Sequence, residues 1–399
     1  RDKSLEFSFK EIFLRGLAPD GGLFLPSEIK KYNKVELKNL SKLSYVDLAT
    51  EIILNFCKSD IKKAKLRLLI EKSYKIFYNN EVVKLKKIGN INLLELYNGP
   101  TLAFKDIAMQ IIGNMYEELK LTEDRAINIV VATSGDTGAA AISALNDRKN
   151  INVFVLHPHN KISNIQRKIM TTIGSANIFN LAVKGSFDDC QKIVKDMFSD
   201  DQFRKKINMS GVNSINWGRI ICQIVYYFYA ALKFPNKKLN FSVPTGNFGD
   251  VYAGYVAKKM GLPINKLIVA TNENDILQRV INSGEYKPSQ VKPSLSPSMD
   301  IQVASNFERL LYDVLKKDDK KVSSLMASLI TEGSFDLNKE EVNTIKKDFM
   351  AIKISDEKTL SIIKKFEKKY NFILDPHTAT AVGAANEIKQ DSGTIVLGT

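Results

Sequence analysis

The sequence predicts an α/β protein in which two parallel-sheet units face each other across a crevice. The first unit is indicated by a strand-like apolar run at 126–133 (AINIVVAT), a glycine turn with a small-residue helix, and a strand at 151–157 (INVFVLH). The pattern recurs with strands at 239–245 (LNFSVPT) and 267–272 (LIVATN), joined by a glycine loop and a helix over 251–260. Strands and helices that alternate at these lengths form parallel sheets with right-handed connections. At 399 residues the chain is long enough for two or three domains.

The N-terminal region, residues 1–90, is expected to be mainly helical. Its early segment 19–26 (PDGGLFLP) is punctuated by proline and glycine, which indicates a turn. Residues 36–57 carry apolar side chains at helical spacing. This region therefore predicts helices that pack beside the sheets.

Residues 91–205 are expected to form the smaller α/β domain. It begins with a strand at 91–97 (INLLELY), followed by a helix that starts near Lys105 and ends at Leu119. The strands at 126–133 and 151–157 complete the pattern.

Residues 206–399 are expected to form the larger α/β domain. Within it, residues 275–370 are more polar and richer in lysine, which predicts a helical insertion or lid with a Pro/Ser hinge at 295–300 (LSPSMD). The final segment 393–399 (GTIVLGT) predicts a strand. Because the sequence opens with Arg1 and its last strand runs to Thr399, we expect the chain to have continued beyond both ends.

The composition argues against nucleic-acid, membrane and secreted classes. The formal net charge is +14, yet the lysines occur in scattered pairs near acidic residues, without an arginine-rich stripe. The most apolar run, 219–232, is too short and too polar to span a bilayer, and no signal-peptide pattern is present. The three cysteines have no paired spacing, which favours reduced thiols in the cytoplasm.

Lys105 is the first candidate for chemistry. It lies in NGPTLAFKDIAMQ, between the apolar residues 102–104 and an apolar helix. A lysine that loses its hydration has a lowered pKa and an accessible nucleophilic amine, as a Schiff-base lysine requires. The alternative is a lysine that snorkels to solvent from a half-buried helix start.

Two glycine loops predict anion sites at strand ends. PTGNFGD (244–250) joins a strand to a helix, so that backbone amides at the helix start can meet a phosphate. It matches neither the Walker pattern nor the Rossmann fingerprint, which disfavours ordinary nucleotide binding. ATSGDTGAAA (132–141) adds the hydroxyls of Ser134 and Thr137 and suits a carboxylate or phosphate oxygen. The alternatives are a tight turn that needs glycine for the first loop and an Asp/Thr helix cap for the second.

The lysine and the two loops together predict a cofactor that carries an aldehyde and a phosphate. Pyridoxal phosphate has both groups. The lysine would take the aldehyde, one loop the cofactor phosphate, and the other loop a substrate carboxylate.

The sequence resembles the threonine synthases of the microbial and fungal type, which are fold-type II pyridoxal-phosphate enzymes. The resemblance rests on segments that occur in the family order along essentially the whole chain, and NGPTLAFKD with ATSGDTG is the most specific pair. The segments are DGGLFLP, NGPTLAFKD, ATSGDTGAAA, KISNIQRKIM, NSINWGRI, VPTGNFGD, SPSMDI, DPHTATAVG and LGT.

The resemblance implies conversion of O-phospho-L-homoserine and water into L-threonine and phosphate. It implies that Lys105 binds the cofactor aldehyde as a Schiff base and shuttles protons. It places Thr399 at the pyridine nitrogen, where a hydroxyl leaves the ring less protonated and its electron sink weaker. Ser134, Asp136 and Thr137 would meet the substrate carboxylate and the cofactor ring oxygen. The cofactor phosphate would be held by Gly246, Asn247, Phe248, Gly249 and Asp250.

The substrate phosphate requires its own cationic clamp. Lys161 and Arg219 are the candidates, against the alternatives of a surface lysine and of a salt bridge at a helix start. Asn213, Ser214 and Asn216 are secondary candidates for hydrogen bonds.

The histidines predict no metal site. His157 and His159 form an H-x-H pair, but no third ligand lies at a suitable offset. His377 is expected to be a structural histidine near the cofactor, and Trp217 a core residue.

Two other functions remain open at this point. A phospholyase would keep the fold and cofactor but release a keto acid, and a non-catalytic anion-binding protein would keep only the scaffold. Beyond a small-molecule substrate no partner is predicted, and the chain is expected to be a monomer or a homodimer.

Overall fold

Two separate sheets of mainly parallel strands form the framework of the protein. The computed structural model describes residues 1–78, 81–119, 125–235, 237–388 and 393–399. The strands are β1 (Lys84–Ile88), β2 (Ile91–Glu95), β3 (Ile127–Ala132), β4 (Ile151–Pro158), β5 (Ile178–Val183), β6 (Met209–Ser210), β7 (Leu239–Pro244), β8 (Ile264–Thr271), β9 (Glu285–Tyr286), β10 (Phe335–Asp336), β11 (Phe349–Lys353) and β12 (Thr394–Gly398).

The helices cover both sheets and form the N-terminal region. They are α1 (Phe9–Arg15), α2 (Lys34–Leu40), α3 (Tyr45–Cys57), α4 (Lys63–Tyr74), α5 (Lys105–Leu119), α6 (Asp136–Leu145), α7 (Asn164–Thr171), α8 (Phe187–Ser199), α9 (Asp201–Lys206), α10 (Trp217–Ala231), α11 (Gly249–Lys259), α12 (Ile276–Ser283), α13 (Phe307–Val314), α14 (Asp319–Thr331), α15 (Lys339–Asp348), α16 (Asp356–Tyr370) and α17 (Pro376–Asn386).

The smaller sheet has four parallel strands in the order β5-β4-β3-β6. Ile129 of β3 lies opposite Val153 of β4, and both side chains are fully buried. The buried runs that predicted these two strands therefore face helices on both sides, as parallel strands require.

The larger sheet has six strands in the order β1-β2-β12-β7-β8-β11, parallel except for the β1–β2 hairpin. This order corrects the predicted domain boundaries. The strand expected at 91–97 is β2, and it pairs with β12 of the larger sheet. β6, at 209–210, pairs with β3 and extends the smaller sheet past residue 205. Strand partners hundreds of residues apart leave no local signal.

The segment 275–370 is not a purely helical insertion. It contains five helices, but it also contributes the β9–β10 pair and the edge strand β11, which runs parallel to β8. Residues 349–353 are a strand because alternate side chains are buried against the sheet. The proposed hinge at 295–300 holds one short 3₁₀ helix, Pro297–Met299.

Many helix starts follow ordinary capping rules, but α4, α6, α11, α12 and α13 begin without a hydrogen bond to the side chain of the cap residue. α1 begins at Ser8 with a reciprocal Ser8–Glu11 capping box, and α3 begins at Ser44, whose hydroxyl accepts from the Asp47 amide. α6 and α11 begin after β3 and β7 without a hydrogen bond from the side chain of the cap residue. These two uncapped helix starts lie at the carboxyl ends of parallel strands, where α/β proteins bind ligands.

None of the helices in the described part of the chain is both long and apolar enough to cross a membrane.

Candidate active site

A crevice between the two sheets brings together residues from eight separate segments of the chain. It encloses about 900 Å³ of space, including the solvent at its mouth. Its principal polar residues are Lys105, Ser134, Asp136, Thr137, Asn213, Ser214, Arg219, Gln223, Asn247, Asp250, Ser298, His377 and Thr399.

Lys105 is the first residue of α5, and its side chain points into the crevice. The residue is only 8% exposed, and its Nζ lies 4.8 Å from the centroid of the Phe104 ring. The next residue, Asp106, holds the turn before the helix, because its carboxylate accepts from the backbone amide and the hydroxyl of Thr101, each at 2.8 Å. The sequence NGPTLAFKD thus forms a rigid support that presents one amine.

The surroundings of Lys105 are not purely apolar, because Asp136 faces it. The Lys105 Nζ lies 3.1 Å from the Asp136 Oδ2, and Gln166 donates to the other carboxylate oxygen at 2.5 Å. Burial by itself raises the pKa of Asp136, but Lys105, His377 and the hydrogen bonds from Ser298 and Gln166 outweigh it, so the pKa lies well below its usual range. Asp136 is therefore an anion that can hold and orient the amine.

The SGDTG loop is not an Asp/Thr helix cap. The cap residue of α6 is Gly135, with φ of 139°, and the loop is closed by the Thr133 hydroxyl, which accepts from the amides of Gly135 and Gly138. A side chain at Gly135 would lie 2.4 Å from Gln166. Glycine is therefore required here both by its backbone angle and by the approach of Gln166 to Asp136.

Ser298 and His377 are site residues to which the sequence interpretation assigned no catalytic role. The Ser298 hydroxyl donates to Asp136 at 2.5 Å and lies 3.4 Å from the Lys105 Nζ, while its backbone amide donates to the His377 Nε2 at 3.2 Å. The His377 Nδ1 lies 3.4 Å from Asp375. The SPSMD and DPHTA segments, which contain Ser298 and His377, were recognised in the sequence. Nothing local in either segment shows that the two lie next to each other in the structure.

The GNFGD loop turns between β7 and α11. Phe248 has a left-handed backbone with φ of 64°, and its ring is buried against Phe307, so only its backbone can meet a ligand. A Cβ at Gly246 would lie 2.6 Å from the Ser298 carbonyl oxygen. The loop thus presents backbone at the uncapped start of α11, as an anion site requires.

Asp250 also lines the crevice, and its side chain is hydrogen-bonded within the protein. The residue is 7% exposed, and its Oδ1 accepts from the hydroxyls of Tyr226 at 2.5 Å and Tyr227 at 2.9 Å. Its Oδ2 is buried without a hydrogen-bond partner among the described residues. Burial raises the pKa of Asp250 to about 6 despite both tyrosines and the charges of Lys105 and Arg219.

Asn306 and Arg309 support the loop from behind and were not predicted. Asn306 donates through its side chain to the Asn247 carbonyl at 3.0 Å and to the Ser214 hydroxyl at 3.1 Å. The fully buried Arg309 bonds to the side chain of Asn306 and donates to the Phe24 carbonyl at 3.1 Å. This arginine ties the DGGLFLP turn to the crevice.

Among the predicted binders of the substrate, Ser134, Asp136, Thr137 and Arg219 line the crevice. Arg219 is 2% exposed and donates through one terminal nitrogen to the Val212 carbonyl at 3.1 Å, while its Nε is buried without a protein acceptor among the described residues. Lys161 is exposed in the turn after β4 and does not line the crevice.

The remaining predicted residues divide between site and core. Thr399 lines the crevice, and its amide donates to the Thr378 hydroxyl at 3.1 Å. Asn216 instead caps α10 and donates to the carbonyls of Phe13 and Gly211. Trp217 is buried in the core.

No metal cluster is found in the described parts of the chain. His157 is buried, His159 is exposed, and neither lines the crevice.

The residues of the crevice fit pyridoxal phosphate. The buried amine of Lys105 suits an aldehyde, and the uncapped start of α11 suits a phosphate. Arg219 offers a buried donor without a partner for a second anion, and Thr399 offers a neutral hydroxyl for the ring nitrogen.

Comparison with known proteins yields one consistent family. Residues 1–74 match the family described as "Threonine synthase N terminus", and residues 78–337 match "Pyridoxal-phosphate dependent enzyme". The chain is 42% identical to threonine synthase from Pseudomonas aeruginosa, with 100% of this chain and 86% of that protein covered. It is 45% identical to threonine synthase from Saccharomyces cerevisiae, with 96% and 80% covered.

A solved structure gives the same result for the fold. The crystal structure of pyridoxal-phosphate-bound threonine synthase from Brucella melitensis superposes with a TM-score of 0.93 at 42% identity, with 98% of this chain and 86% of that chain covered. The predicted fold class is thereby confirmed. This chain belongs to the threonine synthase family of fold-type II pyridoxal-phosphate-dependent enzymes.

Proposed function

We propose that the crevice around Lys105 is where this chain performs the reaction of its family, the conversion of O-phospho-L-homoserine and water into L-threonine and phosphate. The observation that carries the assignment is the meeting in one crevice of a buried amine, an uncapped helix start and an arginine whose buried Nε has no partner among the described residues. These groups match the aldehyde and phosphate of pyridoxal phosphate and the phosphate of the substrate.

Lys105 is the proposed attachment point and proton carrier. When bound, pyridoxal phosphate supplies an electron sink that makes the substrate carbons acidic. The Lys105 Nζ then takes up and returns protons at those carbons, because it is the buried amine at the centre of the crevice. The Phe104 ring, 4.8 Å from the Nζ, limits access of water to the amine.

Asp136 and Ser298 are proposed to position this amine. The carboxylate accepts from Lys105 and from Ser298, so both donors are held on one anion. His377, which accepts from the Ser298 amide and lies beside Asp375, holds the segment that carries Ser298.

Three separate anion sites are proposed. The backbone of Gly246, Asn247, Phe248, Gly249 and Asp250 holds the cofactor phosphate at the start of α11. Arg219, with Asn213 and Ser214, holds the substrate phosphate. These residues line the crevice from the 213–219 segment, apart from the loop at 246–250. Ser134 and Thr137, at the uncapped start of α6, meet the substrate carboxylate.

Product analysis tests the function. Purified protein supplied with pyridoxal phosphate and O-phospho-L-homoserine should release threonine and phosphate in equal amounts. Release of phosphate with a keto acid in place of threonine would support the phospholyase alternative, and an absence of phosphate release would support a non-catalytic binding protein. Borohydride reduction followed by peptide mapping should find the cofactor on Lys105.

We further propose a cytoplasmic location, a monomeric or homodimeric state, and no partner beyond the small-molecule substrate. The cysteines Cys57, Cys190 and Cys222 are free and buried, as suits a reducing compartment. Cell fractionation and light scattering measure the location and the oligomeric state.

A further inference from the structure

Asp250 has an unusual combination of partners for a residue at the cofactor end of the crevice. Its Oδ1 accepts from two tyrosine hydroxyls, while its Oδ2 is buried without any partner among the described residues. A buried carboxylate oxygen without a donor is costly, so this atom requires a partner that the protein alone does not supply.

An ionised Asp250 would be a poor neighbour for a phosphate. The residue belongs to the first turn of α11, whose start is the proposed phosphate site, and it lines the same crevice. Two like charges in a buried site repel strongly, and such a pair is relieved when one group takes up a proton. A neutral carboxylic acid here would still accept from both tyrosine hydroxyls on Oδ1, and the proton on Oδ2 would make that atom a donor for which a phosphate oxygen is the matching acceptor.

We propose that Asp250 is a protonated acid in the cofactor-loaded protein and donates a hydrogen bond from Oδ2 to the cofactor phosphate. The inference deepens the proposed function, because it rests on the assignment of the 246–250 loop to that phosphate. It makes Asp250 a cofactor-binding residue through its side chain as well as through its backbone.

The groups around Asp250 are consistent with this state. From the elements packed against α11, Tyr226, Tyr227 and Arg219 on α10 act on the carboxyl, together with Lys105 on α5. Burial nevertheless raises its pKa to about 6 in the absence of any bound anion. An added phosphate raises the pKa further, so cofactor binding near pH 7.5 takes up a proton at Asp250.

Proton uptake provides the test. Calorimetric titration with pyridoxal phosphate at pH 7.5, in two buffers of different ionisation enthalpy, gives the number of protons taken up. Wild type should take up about one proton more than Asp250→Asn. Pyridoxal, which lacks the phosphate, is the matched control ligand, and with it the two proteins should take up equal numbers.

Infrared spectra and affinities provide independent readouts. The loaded wild type should show the C=O stretch of a protonated carboxylic acid, and Asp250→Asn should lack it. Asp250→Asn should bind pyridoxal phosphate within about threefold of wild type, since its amide also donates, whereas Asp250→Ala should lose about tenfold. Thermal melting without cofactor checks that both variants fold.

Three outcomes separate this inference from the proposed function. Equal proton uptake with pyridoxal phosphate, or tenfold tighter binding by Asp250→Asn, would show that Asp250 is ionised and overturn the inference alone. A wild type that passes these tests but forms no threonine would overturn the proposed function alone. A wild type that binds no pyridoxal phosphate would overturn both.

Discussion

The carboxylate of Asp136 lies 3.1 Å from the amine of Lys105, and the two residues come from the starts of different helices, α6 and α5. Both are largely buried, so this ion pair is weakly screened by solvent. It joins the Lys105 segment to the ATSGDTGAAA loop, both of which the sequence singled out. The pair sets the orientation of the amine before any substrate arrives.

Removing the charge of Asp136 should slow the reaction. In Asp136→Asn, Lys105 loses its anionic partner and Ser298 keeps only a neutral acceptor, so kcat should fall by about tenfold to a hundredfold. Steady-state kinetics measure it. Ser298→Ala, which leaves the ion pair in place, is the control and should lose less. An unchanged kcat in Asp136→Asn would show that the charge of Asp136 does not contribute to the reaction.

Replacing the amine should abolish the reaction without unfolding the protein. In Lys105→Ala the helix α5 keeps its buried face, including Ile107 and Ile111, so the protein should still fold, with a melting temperature lowered by the loss of the ion pair to Asp136. Threonine formation and borohydride fixation of the cofactor should both be lost. Measurable turnover by this variant would mean that another lysine carries the chemistry.

Substitutions at Arg219 and Lys161 test which of these two cationic residues binds the substrate phosphate. Arg219→Met should raise KM for O-phospho-L-homoserine by at least about tenfold, because a buried charge-assisted contact is lost. Arg219→Lys should recover only part of the loss, since an ammonium cannot reproduce the guanidinium fork. Lys161→Gln is the matched control, and its KM should stay within about twofold of wild type because Lys161 is exposed. A large rise in KM for Lys161→Gln with little change for Arg219→Met would show that Lys161 binds the substrate phosphate instead.

Two glycines of the GNFGD loop should differ in their tolerance of a side chain. A Cβ at Gly246 meets the backbone oxygen of Ser298 at 2.6 Å, whereas a Cβ at Gly249 meets its nearest neighbours at 3.3 Å. Gly246→Ala should therefore displace the Ser298 segment and weaken cofactor affinity by about tenfold, more than Gly249→Ala does. Titration with pyridoxal phosphate, followed by absorbance, measures both. Equal losses would show that the contact with Ser298 is not what requires glycine.

The stability of the protein should depend on pH through Asp106. Burial raises its pKa from 3.8 to about 6, although hydrogen bonds from Thr101 oppose the shift. The folded state therefore holds more protons than the unfolded state between these values, and the contribution of this group to stability grows as the pH falls. Between pH 8 and pH 5 the free energy of unfolding of wild type should rise by about 1.4 kcal/mol relative to that of Asp106→Asn, which has no carboxyl to protonate at this position.

Denaturant unfolding of both proteins at several pH values measures this difference. Other shifted groups, including His157 and Asp250, are present in both proteins and cancel in the comparison. A difference that does not vary with pH would place the Asp106 carboxyl in the same environment folded and unfolded.

The strands nearest the site could be predicted from sequence because their signal is local. β3, β4, β7 and β8 are runs of apolar residues bounded by glycine or proline, and the predicted bounds agree with the structure within three residues. The helix from Lys105 to Leu119 was predicted with the bounds that the structure has. Periodicity over a few residues is enough to define such elements.

Other features could not be predicted, because they depend on contacts between distant segments. Ser298 and Asp136 are separated by 162 residues, and only the packing of the 295–300 segment over the crevice brings them together. The same holds for β2, which precedes the smaller sheet in sequence but pairs with β12. The residues around a hydroxyl group or an edge strand do not indicate which distant segment will contact it.

The sequence by itself determined the α/β class, the amine at 105 and the two glycine loops, since each is written in a short stretch of residue types. Only the tertiary structure decided which anion faces that amine, that Asp250 turns one oxygen toward two tyrosines, and that Arg219 rather than Lys161 lies in the crevice. These features depend on burial and on the distances between elements. Both arise only when the two sheets come together.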